Sequence, residues 1–329
     1  MNRIPMVLVL ILITGITGIG CIPSVIADQP VVTFVHIGER GDFGYVDKAY
    51  QGLTRAGDNL SFTIREITWN GSVSEPDPVV DTEMNRNSDM VLMVGNSLKG
   101  YAERTNKNHP DVPLVTIDTG PVLGPRVKAV SFQVYGASYL AGILAANQTQ
   151  TGTIGVIAGW QAPVINRFTE GFIDGARREN PDVITHVNYL SDNETGLSMP
   201  DKAGAVAEGM AENGTDIIFT VAGESDIGAI AAAEQLPGLK IIGVDSDQSE
   251  LAPTTVIASV VKNLDQVVYE ETVQALSGSF IPGVQNTGLR EGGTSLVINP
   301  GFSNLSWIIE TWYNEAVEKE GVYSPSSPL

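Results

Sequence analysis

From residue 31 onward the chain alternates between short apolar runs and longer stretches with helical spacing. Residues 31–37, 90–94 and 112–117 are nearly continuous apolar runs, the mark of strands buried on both faces. A fourth strand is predicted over 62–69. Helical spacing falls over 46–56, over a short segment at 78–84, and over 98–105. The last stops before His109-Pro110, because a residue preceding proline is driven out of the helical region. The alternation then restarts. Strands are predicted at 127–134, 153–158, 185–190, 216–221, 240–244, 256–261 and 294–298. Helices are predicted at 137–146, 163–179, 201–213, 227–236, 264–276 and 305–319.

Strands alternating with helices imply mainly parallel sheets with helices on both faces, an α/β fold. Two consecutive sets of strands imply two Rossmann-like lobes. No period of 20–50 residues recurs, which excludes a solenoid. In sheets of this kind ligands gather off the carboxyl ends of the strands. That rule selects Asp42, Asn96, Asp118, Trp160, Gly223 and Asp245, each just after a predicted strand.

Charge and the amino terminus add a location. The formal net charge is -19, which repels nucleic-acid phosphates and argues against nucleic acid as a partner. Arg3 precedes an apolar run from Met6 to Ile19, too short for a stable membrane span and suited to an export signal. Residues 1–28 therefore read as a leader. Gly18-Ile19-Gly20-Cys21 is similar to a lipoprotein box, although Gly18 stands where leucine is usual. Cys21, the sole cysteine, is the expected lipidation site, and it leaves no partner for an internal disulfide. Six N-x-S/T sequons, at Asn59, Asn70, Asn147, Asn193, Asn213 and Asn304, are candidate glycosylation sites on an exported chain.

Catalytic chemistry finds little footing. His36, His109 and His186 are scattered without metal-ligand spacing, so neither a metal nor a cofactor is expected. Gly223-Glu224-Ser225-Asp226-Ile227 lacks the closing glycine of a nucleophile elbow. Gly15, Gly18 and Gly20 lie in the leader, not between a strand and a helix. No phosphate-binding Gly-Lys-Ser/Thr loop occurs.

Seven ordered segments carry a family likeness. They begin with Gly41-Asp42-Phe43-Gly44-Tyr45 leading into Ala49-Tyr50-Gln51-Gly52-Leu53. His109-Pro110-Asp111 with Val115-Thr116-Ile117-Asp118 follows. Then come Val130-Ser131-Phe132 with Gly136, Ser138-Tyr139-Leu140-Ala141-Gly142, and Thr151-Gly152 with Ile154-Gly155. Next are Pro163, Ile165, Arg167-Phe168, Gly171-Phe172 and Gly175, then Gly214 to Phe219 with Ala222-Gly223. Last are Ile242 to Gln248 and Ser259 to Lys262. Together they resemble the basic membrane protein family of ABC-transporter substrate-binding lipoproteins, several of which are purine nucleoside receptors. The chain departs from that pattern at Tyr45, at Gln133-Val134-Tyr135 and at Glu224-Ser225.

The resemblance implies a type I periplasmic-binding-protein fold, with no enzymatic activity and no cofactor. Its N-terminal lobe would span 30–132 plus 263–290, and its C-terminal lobe 133–260 plus 291–320. Hinge crossings would fall near 131–134, 258–263 and 292–298, and 321–329 would form a disordered tail. The implied ligand is a nucleoside, with a purine favoured, delivered to an ABC permease by a protein on the outer face of the membrane. By resemblance, Tyr45 stacks on the base with Asp42 beside it, and Asp118 reads the base edge. Phe168 or Phe219 supplies the second face. Asp245 takes the ribose hydroxyls near Gly223, with Lys262 as donor and counter-charge; Asn96 and Trp160 are further candidates. Read as residues alone, Asp42 could equally cap the next helix, and Phe168 and Phe219 could equally be core. A binding protein or sensor for a sugar, an autoinducer or a free base is the alternative.

Overall fold

The computed structural model describes residues 29–37, 40–41, 44–69 and 88–324. The leader with Cys21, Asp42, the helix expected at 78–84, the sequon at Asn70 and residues 325–329 lie outside these. Among the described residues the strands form two six-stranded sheets.

The first sheet has the order β11-β5-β4-β3-β1-β2. It consists of β1 (Val31–Ile37), β2 (Thr63–Trp69), β3 (Met90–Val94), β4 (Leu114–Ile117), β5 (Val127–Phe132) and β11 (Gly283–Thr287). All its neighbours pair in parallel. The second has the order β12-β10-β9-β8-β6-β7. It contains β6 (Thr153–Ala158), β7 (Ile184–Tyr189), β8 (Ile217–Val221), β9 (Lys240–Asp245), β10 (Val256–Lys262) and β12 (Thr294–Ile298). Only its β10–β12 pairing is antiparallel.

The helices are α1 (Tyr45–Asn59), α2 (Lys99–Asn108), α3 (Tyr135–Gln148), α4 (Pro163–Glu179), α5 (Pro200–Glu212), α6 (Asp226–Gln235), α7 (Leu264–Leu276) and α8 (Trp307–Val322). Short 3-10 turns precede α2 (Asn96–Leu98), α5 (Glu194–Ser198), α6 (Gly223–Ser225) and α8 (Pro300–Leu305).

Most predicted elements fall within a few residues of these bounds. The strand β11 was not foreseen. Its Gly283-Val284-Gln285-Asn286-Thr287 has one large apolar residue, because an edge strand exposed over most of its length needs no hydrophobic run. The tail expected from 321 is corrected at its start. Helix α8 continues to Val322, and the Tyr323 ring stacks on Tyr135 at 4.2 Å with its hydroxyl donating to Glu170 Oε2.

Helices cover both faces of each sheet, so β3, β4, β8 and β10 are buried along their whole length. Helices α3 and α4 pack closely. Gly142 lies against the Phe172 carbonyl, and Gly175 against that of Tyr139, with no room for a side chain at either. These are glycines of the family-like segments, and their reason is this approach of two helix backbones.

The chain passes between the sheets three times, after β5, after β10 and between β11 and β12. The passages lie side by side. Thr294 Oγ1 donates to the Gln133 carbonyl at 3.0 Å, and Asn263 N–H to that of Gly293 at 2.8 Å. The buried end of Glu320 accepts from Gly136 N–H and Leu289 N–H at 2.9 Å each. One carboxylate on α8 thus fastens the first passage to the third.

Replacing Gly175 with alanine should lower stability by about 2–3 kcal/mol, because a Cβ there meets backbone that cannot yield. Urea unfolding followed by circular dichroism checks this. An unchanged midpoint would contradict the packing described.

Candidate ligand site between the lobes

Among the described residues, two that are not glycine have left-handed backbone: Asp118 at φ 53° and Asp245 at φ 65°. Such conformations are uncommon for side-chain-bearing residues and collect at functional sites. The two aspartates hold matching places. In the first lobe β3 leads to Gly95 (φ 126°), a 3-10 turn, α2, β4 and then Asp118. In the second, β8 leads to a 3-10 turn opened by Gly223 (φ 59°), then α6 and β9, whose last residue is Asp245. Each lobe therefore offers a carboxylate from the carboxyl end of a central strand.

Lys262, the last residue of β10, joins them. Its ammonium lies 3.0 Å from Asp118 Oδ2 and 3.5 Å from Asp245 Oδ1, and the residue is 6% exposed. Aromatic rings surround it: Tyr45 at 4.8 Å, Phe168 at 5.5 Å and Phe132 at 5.9 Å from Nζ to centroid. Ring faces attract a cation, more strongly where water is excluded. Burial by itself would lower the lysine pKa, but Asp118 and Asp245 outweigh it and hold the group above its ordinary value. The ammonium is charged at every physiological pH.

The two carboxylates differ in how fully they are bonded. Asp118 Oδ2 accepts from Tyr45 Oη at 2.9 Å as well as from Lys262, and Oδ1 accepts from Phe132 N–H at 3.0 Å. Burial first, then the charge and hydrogen bond of Asp118, push the Tyr45 phenol well up, so it stays a neutral donor. Asp245 Oδ1 is buried and faces the Lys262 ammonium at 3.5 Å, a longer contact than that of Asp118. Asp118 is thus the more fully bonded partner, and Asp245 is held by the one longer contact to Lys262.

The structure brings together Tyr45, Asp118, Phe168, Asp245 and Lys262 from the residues singled out in the sequence. Gly223 sits at the end of β8, its Cβ position 3.4 Å from Leu197. Trp160 is half-buried against the main core. Asn96 opens the turn before α2. Phe219 is fully buried one layer further in, stacked on Phe172 at 4.8 Å and 6.3 Å from Phe168. Phe132 was missed. Its signal was available, since it ends a strand inside a family-like segment, but a phenylalanine closing an apolar run also reads as core.

Behind the site, Asp226 is 1% exposed at the start of α6. Its Oδ1 accepts from Ala222 N–H at 2.9 Å, while Oδ2 is buried without a hydrogen-bond partner. Burial, reinforced by the charge of Asp245, pushes this carboxyl well above the usual range. An open concavity of about 630 Å³ lies elsewhere, beside Asp216 and Leu239 at the amino ends of β8 and β9, and has no part in this cluster.

The arrangement is one for holding a small polar molecule: a loosely held carboxylate, a charged donor and aromatic walls, at the junction of two lobes. It defines a two-lobed capture protein. Residues 29–319 match the family described as "ABC transporter substrate-binding protein PnrA-like". The chain belongs to that family, whose members bind solutes and are not enzymes; its place is extracytoplasmic, with a small-molecule ligand and a permease partner. It is similar to basic membrane protein A of Borreliella burgdorferi, with 28% identity over 91% of this chain and 88% of that one. Basic membrane protein B of the same organism is 30% identical over 77% and 73%. Among solved structures, a solute-binding protein of an ABC transporter system from Aeropyrum pernix K1 superposes with a TM-score of 0.75. It is 23% identical, with 89% of this chain and 90% of that chain covered. Among the described residues no helix is long and apolar enough to cross a membrane.

The folded pKa of Asp226 lies above its ordinary 3.8. The stability tied to its protonated form is therefore whole below that value and is lost as the pH rises through the raised one. Asp226→Asn keeps an acceptor for Ala222 N–H and cannot ionise. Its stability relative to the parent should climb as the pH rises above 3.8, by at most about 1.4 kcal/mol per unit, and level off once the parent's carboxyl has ionised. Unfolding midpoints across that range check it, and a difference that ignores pH would refute the assignment.

Proposed function

We propose that the ligand is a nucleoside, with a purine favoured, captured for an ABC importer. The observation that carries this reading is Asp245: a carboxylate held in left-handed backbone at a strand end, bound only by a long contact to the lysine ammonium beside it. A ribose presents two adjacent hydroxyls, and a carboxylate that accepts from both forms charge-assisted bonds. Lys262 would donate to the same sugar. Tyr45, Phe132 and Phe168 form the apolar, aromatic side of the site and suit the flat base. Asp42 and Gly223 would complete the polar contacts, with Asn96 and Trp160 as further candidates.

Capture is by closure. The lobes, 30–132 plus 263–290 and 133–260 plus 291–320, would swing about the three passages. A ligand touching both lobes only when they are shut draws the equilibrium to the closed form. Lipidation at Cys21 would hold the receptor on the outer face of the membrane, beside its permease.

Titration calorimetry tests the ligand, using protein unfolded and refolded to strip carried-over solute. The panel is guanosine, inosine, adenosine, uridine, the free bases and ribose. Nucleosides should bind, and Asp245→Ala should weaken them by roughly a hundredfold, the loss of about two charged hydrogen bonds. Silence across all nucleosides would sink the reading. Free bases binding as tightly as their nucleosides would remove the ribose contact.

A further inference from the structure

The turn Glu194–Ser198 is an irregular segment on the second lobe with more fastening than a connecting loop requires. Asn193 caps it, its Oδ1 accepting from Thr195 N–H at 3.0 Å. Gly196 lies flat on the Gly159 backbone with no space for a side chain. The hydroxyl of Ser225, fully buried, donates to the Gly196 carbonyl at 2.8 Å and accepts from Met199 N–H at 2.7 Å. Ser198 Oγ donates to Glu224 Oε2 at 3.0 Å. Glu224 and Ser225 are the pair at which this chain departs from the family pattern. Here both fasten the 194–198 turn to the end of β8.

From this platform one side chain reaches the other lobe. Glu194 Oε2 accepts from Ser97 Oγ at 3.0 Å, and Ser97 lies in the turn that runs into α2. The contact sits among the carboxyl ends of the strands, away from the three passages, and both residues are at the surface. A bond far from a hinge has the longest lever over opening, and a platform with no slack does not let it follow the moving lobe.

We propose that Glu194 is a positioning residue for ligand retention: the 194–198 turn is a rigid arm, and the Glu194–Ser97 bond is the latch that holds the closed lobes together. It acts through closure, so it depends on lobe movement and not on which solute is bound. A bond made only in the closed state slows ligand escape.

The test uses the full chain with Cys21→Ser and spin labels at two exposed helix positions, Lys107→Cys on α2 and Asp201→Cys on α5. Double electron–electron resonance reads the interlobe distance without ligand. Glu194→Ala and Ser97→Ala should each move the distribution to longer distances by the same amount, and the double variant no further. Glu194→Gln keeps an acceptor and should stay near the parent. With inosine as the probe, stopped-flow should show release roughly threefold to tenfold faster in Glu194→Ala, the span of one lost hydrogen bond. The unfolding midpoint of the ligand-free chain should not move. Distances that stay put in Glu194→Ala, or single changes that add in the double, would overturn the latch. Failure of inosine to bind the parent counts against the nucleoside alone, and the distance measurement then decides the latch by itself.

Discussion

The buried ammonium of Lys262 is the constraint around which the rest of the site is arranged. A lysine removed from water is tolerated only when opposite charge is close and well placed. Here that charge comes from both lobes, Asp118 at 3.0 Å and Asp245 at 3.5 Å. Breaking such a pair by removing one partner costs about 3–5 kcal/mol, since it strands the other charge. The aromatic rings around Nζ are part of the same solution: they exclude water and offer the cation negative ring faces. The junction of the lobes is therefore electrostatically specified before any ligand enters.

Backbone strain and side-chain chemistry coincide at the two aspartates. Left-handed backbone costs a non-glycine residue of the order of 1 kcal/mol or more. It persists at Asp118 because that side chain is held three ways, by Tyr45, Lys262 and Phe132 N–H. Asp245 has no comparable set of internal bonds. Its strain is retained at a position held by the one longer contact to Lys262, which is the arrangement a binding residue requires. The matched route from β3 to Asp118 and from β8 to Asp245 shows that one local design serves both lobes. The departures at Glu224-Ser225 also have a physical use: they brace the turn that carries Glu194 towards Ser97.

The helices and most strands were legible because each is buried in a way its own residues announce. A strand covered on both faces is mainly apolar: residues 90–94 are so throughout, and 217–221 at all but Thr220. The edge strand β11 has no such obligation and left no trace. The site was legible at Asp118 and Asp245 through the rule of strand ends. It was blurred at the phenylalanines. Phe132, Phe168 and Phe219 each sit in apolar company in the sequence. Only packing separates them: Phe132 and Phe168 turn towards Lys262, and Phe219 stacks on Phe172.

The sequence by itself determined the α/β alternation, the two sets of strands and the aspartates at their ends, because burial and turn geometry act over a few residues at a time. The tertiary structure alone decided which carboxylate is the more fully bonded, and which residues face one another across the lobes. Lys262 lies 144 positions from Asp118 and Glu194 lies 97 from Ser97. No local pattern encodes such pairs; they arise when three passages bring together the strand ends of two separately built sheets.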